Sequence, residues 1–360
     1  MPKHLPSATL LLATTALLLG ACGGGGEPTQ DTVADEPQTR AQRLERLLST
    51  LAADSMEGRR TGTPGAHRAA RFLAAELQSY GVEPAGDDAF FQRIPLARVA
   101  VTSAGSTFER LRLASDDLDF DTLPPDRIVD TEVNVVGVVR GTDPDVADEA
   151  VVVGAHYDHV GIGAAVDGDS IYNGADDDAS GSVAVLEIAR AFASGQAPRR
   201  TIVFLLSTGE EMGLLGTRWY LEDPVIPLER TVADLQIEMI GRPDSLAGGF
   251  GHAWLTGYER TTIGHQLAAA GSPIVPDPRP EQNFFFRSDN IAFARLGIPA
   301  HTLSSFNLHA DYHRPSDEVA AIDFDHMAAL VEASIEAVRF LADGPTPGWV
   351  EGGMNGLTGR

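Results

Sequence analysis

The sequence contains a single cysteine, Cys22, so a disulfide or a catalytic thiol pair has no second partner to draw on. Basic charge is also sparse. Against 51 acidic residues stand 27 Lys and Arg, a formal net charge of −24 over 360 residues, and such a field makes nucleic acid and anionic membrane surfaces poor partners. The acidity does not by itself name a substrate, since a soluble acidic surface accounts for it. No internal repeat is present at a period of about 20–50 residues, which sets aside repeat architectures. What remains, 43% hydrophobic and 22% charged, is ordinary globular composition with material for a large core. The length allows one large α/β domain or two small ones.

Lys3 and His4 precede an apolar run from Leu10 to Leu19, and Gly20-Ala21-Cys22 follows. A short basic segment before an apolar stretch of this size reads as a secretory signal, too short to be a spanning helix. The Leu-Gly-Ala-Cys ending resembles the bacterial lipobox, in which the cysteine becomes the acylated first residue, so Cys22 is the expected lipid attachment site. Residues 23–40 open with four glycines, carry no apolar periodicity and read as a flexible tether. The expected organisation is a lipoprotein signal peptide at 1–21, a tether at 22–40, one folded domain at 41–343 and a loose Gly- and Pro-rich tail at 344–360. The expected location is the bacterial cell envelope, facing the periplasm or exterior, with the membrane reached only through the lipid.

Between these ends helical and strand patterns alternate. Leu44, Leu47, Leu48 and Leu51 mark one amphipathic helix, and Ala69, Phe72, Leu73 and Leu77 a second that ends near Gly81. Short β-rich runs follow at 133–139, 150–154, 201–206, 235–240 and 298–303. Helical stretches are expected at 183–192, 261–270, 290–296 and 324–341. Apolar strands alternating with helices predict an α/β sandwich around a largely parallel sheet. The stretch from Ile94 to Asp130 is less regular and reads as an edge hairpin and loops.

Acidic and imidazole side chains collect at the ends of these strands. His156, Asp158 and His159 follow one; Glu210 and Glu211 follow another; Glu238 closes a third; and Asp176, Asp177 and Asp178 precede a helix. In open α/β sheets ligands bind beyond the carboxyl ends of the strands. Carboxylates do not gather there at neutral pH unless a cation offsets them, so the pattern favours a metal site. Taken singly, an Asp before a helix is a cap and a Glu pair is a solvated face.

The segments Gly154-Ala155-His156-Tyr157-Asp158-His159, Asn173 to Gly181, Ser207 to Gly216 and Asp311 to Asp317 resemble metallopeptidase family 28 of clan MH, over about Leu44 to Leu341. That family includes secreted bacterial leucyl-type aminopeptidases, glutamate carboxypeptidase II, glutaminyl cyclases and the transferrin receptor. The resemblance implies a three-layer α/β sandwich of the zinc-peptidase type, with a central mixed, largely parallel sheet flanked by helices. It implies two Zn²⁺ ions per chain held by His156, Asp177, Glu211, Glu238 and His313, with Asp177 bridging. It further implies Glu210 as general base, Asp158 hydrogen-bonded to the His156 imidazole, and Tyr312 as an oxyanion donor. Peptides are the implied substrates and an aminopeptidase the implied activity. Ser288-Asp289-Asn290 and Gly297-Ile298-Pro299 match family segments that shape the pocket.

One position departs from the family pattern. Glu238-Met239-Ile240-Gly241 carries Glu where Asp is usual, which alters the space left for a substrate amine. A carboxypeptidase-type enzyme or an N-acyl amino acid hydrolase therefore remains open as an alternative. A glutaminyl cyclase and a non-enzymatic binding protein on the same fold are further ones, and the complete ligand set disfavours both. The N/O donor set suits zinc, with cobalt or manganese also able to fit. His159 and His309 read as residues that touch the ligands or lie in a loop beside them, His301 as a packed strand histidine, and Arg59-Arg60 as a structural turn. Phe284-Phe285-Phe286 fits a substrate pocket and a core equally well.

Overall fold

A computed structural model describes residues 38–357 except 104 and 117. The signal sequence, the lipobox with Cys22 and most of the tether lie outside the described residues. Helix α1 (Arg40–Leu51) starts at a capping box: the Gln42 N–H donates to Thr39 Oγ1 (3.2 Å) and the Thr39 N–H to Gln42 Oε1 (2.8 Å). Its buried stripe is Leu44, Leu47, Leu48 and Leu51, each fully buried leucine adding about 1.5–3 kcal/mol. Helix α2 (Pro64–Ser79) opens on a proline, whose missing N–H has no partner to lose in the first turn. The other helices are α3 (Gly181–Ser194), α4 (Leu215–Glu222), α5 (Thr262–Ala269), α6 (Asn290–Arg295) and α7 (Phe324–Asp343).

The strands run β1 (Glu83–Pro84), β2 (Phe91–Arg93), β3 (Leu96–Ser103), β4 (Ser106–Leu113), β5 (Ile128–Val129), β6 (Val133–Val139) and β7 (Ala150–His156). After them come β8 (Gly161–Val166), β9 (Asp169–Tyr172), β10 (Thr201–Ser207), β11 (Thr231–Ile237), β12 (Ala253–Leu255), β13 (Ile274–Pro276) and β14 (Ala300–Ser304). The main sheet has nine strands in the order β1-β6-β10-β7-β11-β14-β12-β13, with β2 also on β6. Its centre, β10-β7-β11-β14, is parallel, and β6 and β12 join it antiparallel.

The side-chain alternation along these strands builds the three layers. Val151, Val153, Ile202, Phe204 and Leu206 enter one buried cluster with residues of α1, α2, α3 and α7. Val152, Val203 and Leu205 enter a second with Tyr220 of α4 and Ile291 and Phe293 of α6. Covered on both faces, the central strands are continuous apolar runs, and this is why they were legible as strands. The fold is the α/β sandwich expected, with a mixed, largely parallel sheet.

Three details differ from the sequence reading. The strand expected at 235–240 runs instead from Thr231 to Ile237. Met239 has a left-handed φ of 51°, and the next N–H groups are taken by side chains of the Asp triplet region: Asp178 Oδ1 accepts from Met239 (3.0 Å), Ser180 Oγ from Ile240 (3.0 Å) and Asp176 Oδ1 from Gly241 (2.7 Å). The chain turns there because those acceptors replace the sheet ladder. The hairpin expected in 94–130 exists as β3–β4, but it pairs with β5 in a separate three-stranded sheet and is not an edge of the main one. That sheet rests on the body through Ile94, Leu96, Leu111, Leu113 and Val129 against Leu215. The tail is not loose over the described residues: Trp349 donates through Nε1 to the Gly297 carbonyl (2.7 Å), Arg200 to that of Gly344 (2.7 Å), and Leu357 is buried in the second cluster. Its glycines and prolines hid two apolar anchors, Trp349 and Leu357, that dock without periodicity.

Candidate metal centre and active site

Every strand of the parallel centre brings a chemical group to its carboxyl end. His156 is the last residue of β7; Glu210 and Glu211 lie just beyond β10; Glu238 follows β11 directly; and Ser304 closes β14. Into the crevice above them comes the Asp176–Asp178 segment, which leads into α3.

The three aspartates have separate partners. Asp176 and Asp178 accept from the backbone N–H groups of the Glu238–Gly241 turn, and Asp178 also from Gly181 (3.0 Å). Asp177 is left facing the imidazoles: its Oδ1 lies 3.4 Å from His156 Nε2 and its Oδ2 lies 3.0 Å from His313 Nε2. Two groups of potential ligands result, His156–Asp177–Glu238 and His159–Asp177–Glu211–His313, each with its donor atoms within 4.8 Å of one another. Asp177 is common to both.

Hydrogen-bond accounting tests whether a cation fits. His156 Nε2, both nitrogens of His159, Asp177 Oδ2, Glu211 Oε1 and His313 Nε2 are all buried without a hydrogen-bond partner. Buried polar atoms are usually satisfied; Tyr220 Oη and Asp234 Oδ2 are orphaned elsewhere, but the six named here belong to residues of the two ligand groups, where a cation would satisfy them. His156 Nδ1 lies 3.1 Å from the Asp158 carbonyl; a carbonyl only accepts, so Nδ1 carries the proton and the Nε2 lone pair is free for a metal. The residues present fit a pair of borderline cations such as zinc.

The expectation for Asp158 needs correcting. Its backbone carbonyl, not its carboxylate, holds the His156 ring, and the nearest carboxylate oxygen is 3.7 Å away. The carboxylate instead accepts from the Glu210 N–H (3.1 Å) and the Thr61 hydroxyl (3.0 Å). It therefore fixes the Glu210–Glu211 backbone in place. Burial pushes Asp158 up to about 6 and Glu238 up to about 7. Burial likewise drives Glu210 well above the usual carboxylate range, with Glu238 and Asp289 adding and His156 opposing. Burial alone would raise Asp177 too, but His156 and His313 outweigh it and hold it ionised.

His159, expected either to touch the ligands or to lie in a loop beside them, sits against Glu211 and His313. It is 1% exposed, with Nδ1 2.9 Å from Glu211 Oε1 and its ring edge-on to His313 at 5.4 Å. His309 remains outside both groups and bonds Asp176 Oδ2 at 3.1 Å. Arg59 was underrated. Fully buried, it donates to the carbonyls of Tyr157 (2.7 Å) and Gly174 (2.9 Å) and to that of Asn173, gripping the backbone beside both His156 and Asp177. The only sign in the sequence was an arginine pair beside Glu57-Gly58. Asp317, within the last quoted motif, accepts from the N–H groups of Asp176 and Asp177 (both 3.1 Å).

A pocket open on one side adjoins Glu210, Glu211 and Glu238. Trp254, Phe284 and Phe306 form its apolar side, Ser288, Thr302 and Ser304 its polar side, and Tyr312 and Arg287 reach it as well. The three phenylalanines divide: Phe284 stacks on Trp254 at 5.1 Å in the pocket, Phe285 is core, and Phe286 is 37% exposed under Arg260. Tyr312 stacks on His313 at 4.0 Å.

Comparison with known proteins places this geometry. The chain is 27% identical over 228 residues to a vacuolar membrane protease of Aspergillus clavatus, covering 58% of this chain and 22% of that protein. A second vacuolar membrane protease, of Pyrenophora tritici-repentis, is 33% identical over 113 residues, covering 29% of this chain and 11% of the relative. The chain thus spans about a fifth or less of these relatives' length. Among solved structures, a zinc aminopeptidase of Bacillus subtilis superposes with a TM-score of 0.62 at 15% identity, covering 86% of this chain and 97% of that one. The LapA aminopeptidase of Legionella pneumophila gives 0.58 at 18%, covering 85% and 73%. A glutaminyl cyclase of Porphyromonas gingivalis gives 0.53 at 16%, covering 83% and 97%. At these identities the superpositions speak for the fold alone. Residues 134–338, more than half of the chain and the span that carries His156 through His313, match peptidase family M28, and to that family the chain belongs.

Proposed function

We propose that the chain is a two-zinc exopeptidase, an aminopeptidase that removes terminal residues from peptides. The observation that carries this reading is the pair of ligand groups sharing Asp177, with Glu210 lining the same pocket outside both groups. His156, Asp177 and Glu238 would hold one ion, and Asp177, Glu211 and His313, with His159, the other. Bound there, the ions would polarise the scissile carbonyl and acidify the attacking water. Glu210 takes the proton of that water and returns it to the leaving amine. The Tyr312 hydroxyl donates to the oxygen that gains charge. Asp158, through the Glu210 N–H, keeps base and ligand in register.

A second reading is favoured by Arg287, a cation lining the terminal pocket: a carboxypeptidase would use it to hold a free carboxylate. One experiment separates the two. Metal content by elemental analysis is measured alongside hydrolysis of a leucine peptide that is free, N-acetylated or C-amidated. Two zinc per chain, with cleavage abolished by acetylation and retained after amidation, is the expected result. Cleavage blocked by amidation and not by acetylation would move the assignment to the carboxypeptidase.

Export and lipid anchoring through Cys22 complete the proposal, supported by the basic start, the apolar run and the Leu19-Gly20-Ala21-Cys22 ending. Cys22→Ser should release the protein from the membrane fraction, and its persistence there would remove the lipid anchor.

A further inference from the structure

The residues read as metal ligands are not all held in the same way. His156 ends β7, Glu211 and Glu238 lie just past β10 and β11, and Asp177 stands in the segment that leads into α3. His313 instead lies in the stretch from Ser305 to Glu318, which contains no helix or strand. Its φ is 54°, a left-handed conformation that a histidine keeps only where its surroundings impose it. Its side chain is 36% exposed, so burial does not fix it either. Contacts from elsewhere in the fold must set its place.

One residue grips that stretch on both sides of His313. Arg242 follows the Glu238–Gly241 turn, and its carbonyl accepts from the Ser305 hydroxyl (2.8 Å), where the stretch begins. Its guanidinium donates through Nη1 to Asp311 Oδ2 (2.6 Å) and through Nη2 to Asp317 Oδ1 (3.0 Å). Asp311 and Asp317 bracket Tyr312 and His313 in the chain, so one planar group holds both flanks of the ligand. A guanidinium can do this because its donors diverge in a fixed fork, which an ammonium lacks. The partners carry the grip onward. Asp317 accepts from the N–H groups of Asp176 and Asp177 (both 3.1 Å), and Asp311 from the Ser316 hydroxyl (2.7 Å). Asp176 Oδ2, 3.9 Å from Arg242 Nε, is a third carboxylate on the same cation. Gly241 lets the turn come this close: a Cβ there would stand 2.8 Å from Asp176 Oδ1 and 2.5 Å from Ile322 Cδ1.

We propose that Arg242 is a positioning residue for the ion of Asp177, Glu211 and His313: by holding Asp311 and Asp317 it sets where the His313 imidazole meets Glu211 and Asp177. The assignment rests on the two-ion reading. An arginine among buried carboxylates is ordinarily a stability device, and that role alone would not distinguish one ion from the other. The connections here do. The Glu238–Gly241 turn keeps its bonds to Asp176, Asp178 and Ser180 without the Arg242 side chain, and Asp317 keeps its bonds to the Asp176 and Asp177 N–H groups. Loss of the guanidinium therefore frees the loop of His313 and leaves His156, Asp177 and Glu238 in place.

The test uses the full chain stripped of metal, with zinc added in competition with a chelator so that the two binding steps are read separately. His313→Ala identifies the step that belongs to the loop. Arg242→Gln should weaken that step by roughly 10–100-fold, the usual effect of losing a residue that orients a ligand, and leave the step of His156 and Glu238 unchanged. Arg242→Lys, which keeps the charge without the fork, should fall between wild type and Arg242→Gln. Hydrolysis of leucine p-nitroanilide by Arg242→Gln should be low at limiting zinc and recover with excess. Both steps weakened alike, or neither, would overturn the assignment and return Arg242 to a stabilising role. Should Arg242→Gln not fold, Asp311→Asn decides by the same comparison, since its carboxylate is the most exposed of the three that face Arg242. A wild-type chain that binds fewer than two zinc ions removes the two-ion reading and this assignment with it. Two ions in the wild type, with no selective loss in the variants, removes the assignment alone.

Discussion

Two buried histidines, both tied to strands of the main sheet, have opposite surroundings. His301, in β14, is completely buried and both its nitrogens are engaged: Nδ1 donates to the Thr256 carbonyl (2.6 Å) and Nε2 accepts from the Thr261 hydroxyl (2.5 Å). The same Thr261 oxygen accepts from the Ile263 N–H and caps α5, so the knot closes on itself. His159, just past β7, is 1% exposed; its Nδ1 meets only the carboxylate of Glu211 (2.9 Å), without hydrogen-bond geometry, and its Nε2 has no partner. Residue type and burial are alike in the two regions. Hydrogen-bond satisfaction separates them, because a buried imidazole left unpaired costs free energy that a bound cation would return. The knot is a structural device; the strand-end cluster has the makings of the metal site proposed above.

The largest effect that would break this contrast is at Asp177. Asp177→Asn removes the residue common to both ligand groups, so both ions should be lost and activity should fall on the order of 10⁴. A normal metal load in that variant by elemental analysis would refute the shared role. Next is the neighbouring glutamate pair. Glu210→Gln should keep both metals and the fold while lowering kcat by roughly 10²–10⁴. Glu211→Gln should bind metal less tightly and recover in part with excess zinc. The reverse pattern of zinc loss would exchange their roles.

A smaller effect belongs to the knot and depends on pH. Burial pulls His301 down to about 4, against the backbone bond to Thr256, which raises it. Its depressed value means that the unfolded chain takes up the proton first. Stability from the neutral ring is therefore present above about pH 6.5 and is lost as pH falls toward 4, by up to about 3 kcal/mol. Urea unfolding of wild type and His301→Gln at pH 7 and 4.5 should show the wild-type advantage shrinking at the lower pH; a constant difference would mean that His301 is not held neutral. The smallest effect sharpens the other side. His159→Ala should weaken the ion held by Asp177, Glu211 and His313 by roughly 10–100-fold and spare the one near His156 and Glu238. Unchanged affinity at both, read by competition with a chelator, would return His159 to the role of a packing residue.

The sequence carried the sandwich because its central strands are buried on both faces and so appear as unbroken apolar runs at 150–156 and 201–207. It carried the site's location for a related reason: His156, Glu210-Glu211 and Glu238 stand directly after strands, where α/β sheets expose their ligands. The hairpin sheet, the course of β11 beyond Ile237 and the docked tail were harder to read. Each is positioned by contacts between residues distant in the chain, such as Asp178 with Met239 or Trp349 with Gly297.

Which carboxylates and imidazoles are present, and that they reach one edge of a sheet, was thus determined by local pattern alone. Tertiary structure decided what each of them does. Asp176 and Asp178 are structural and Asp177 is free because only the folded turn at Glu238–Gly241 presents N–H groups to the outer two. Asp158 serves Glu210 and not the His156 ring because its carboxylate meets the Glu210 N–H across 52 residues of chain. His159 joins the cluster while His301 does not, since the partners that satisfy or abandon a buried nitrogen come from elsewhere in the fold. A hydrogen bond between distant residues has no signature in the sequence around either of them, and in this protein those bonds assign the roles.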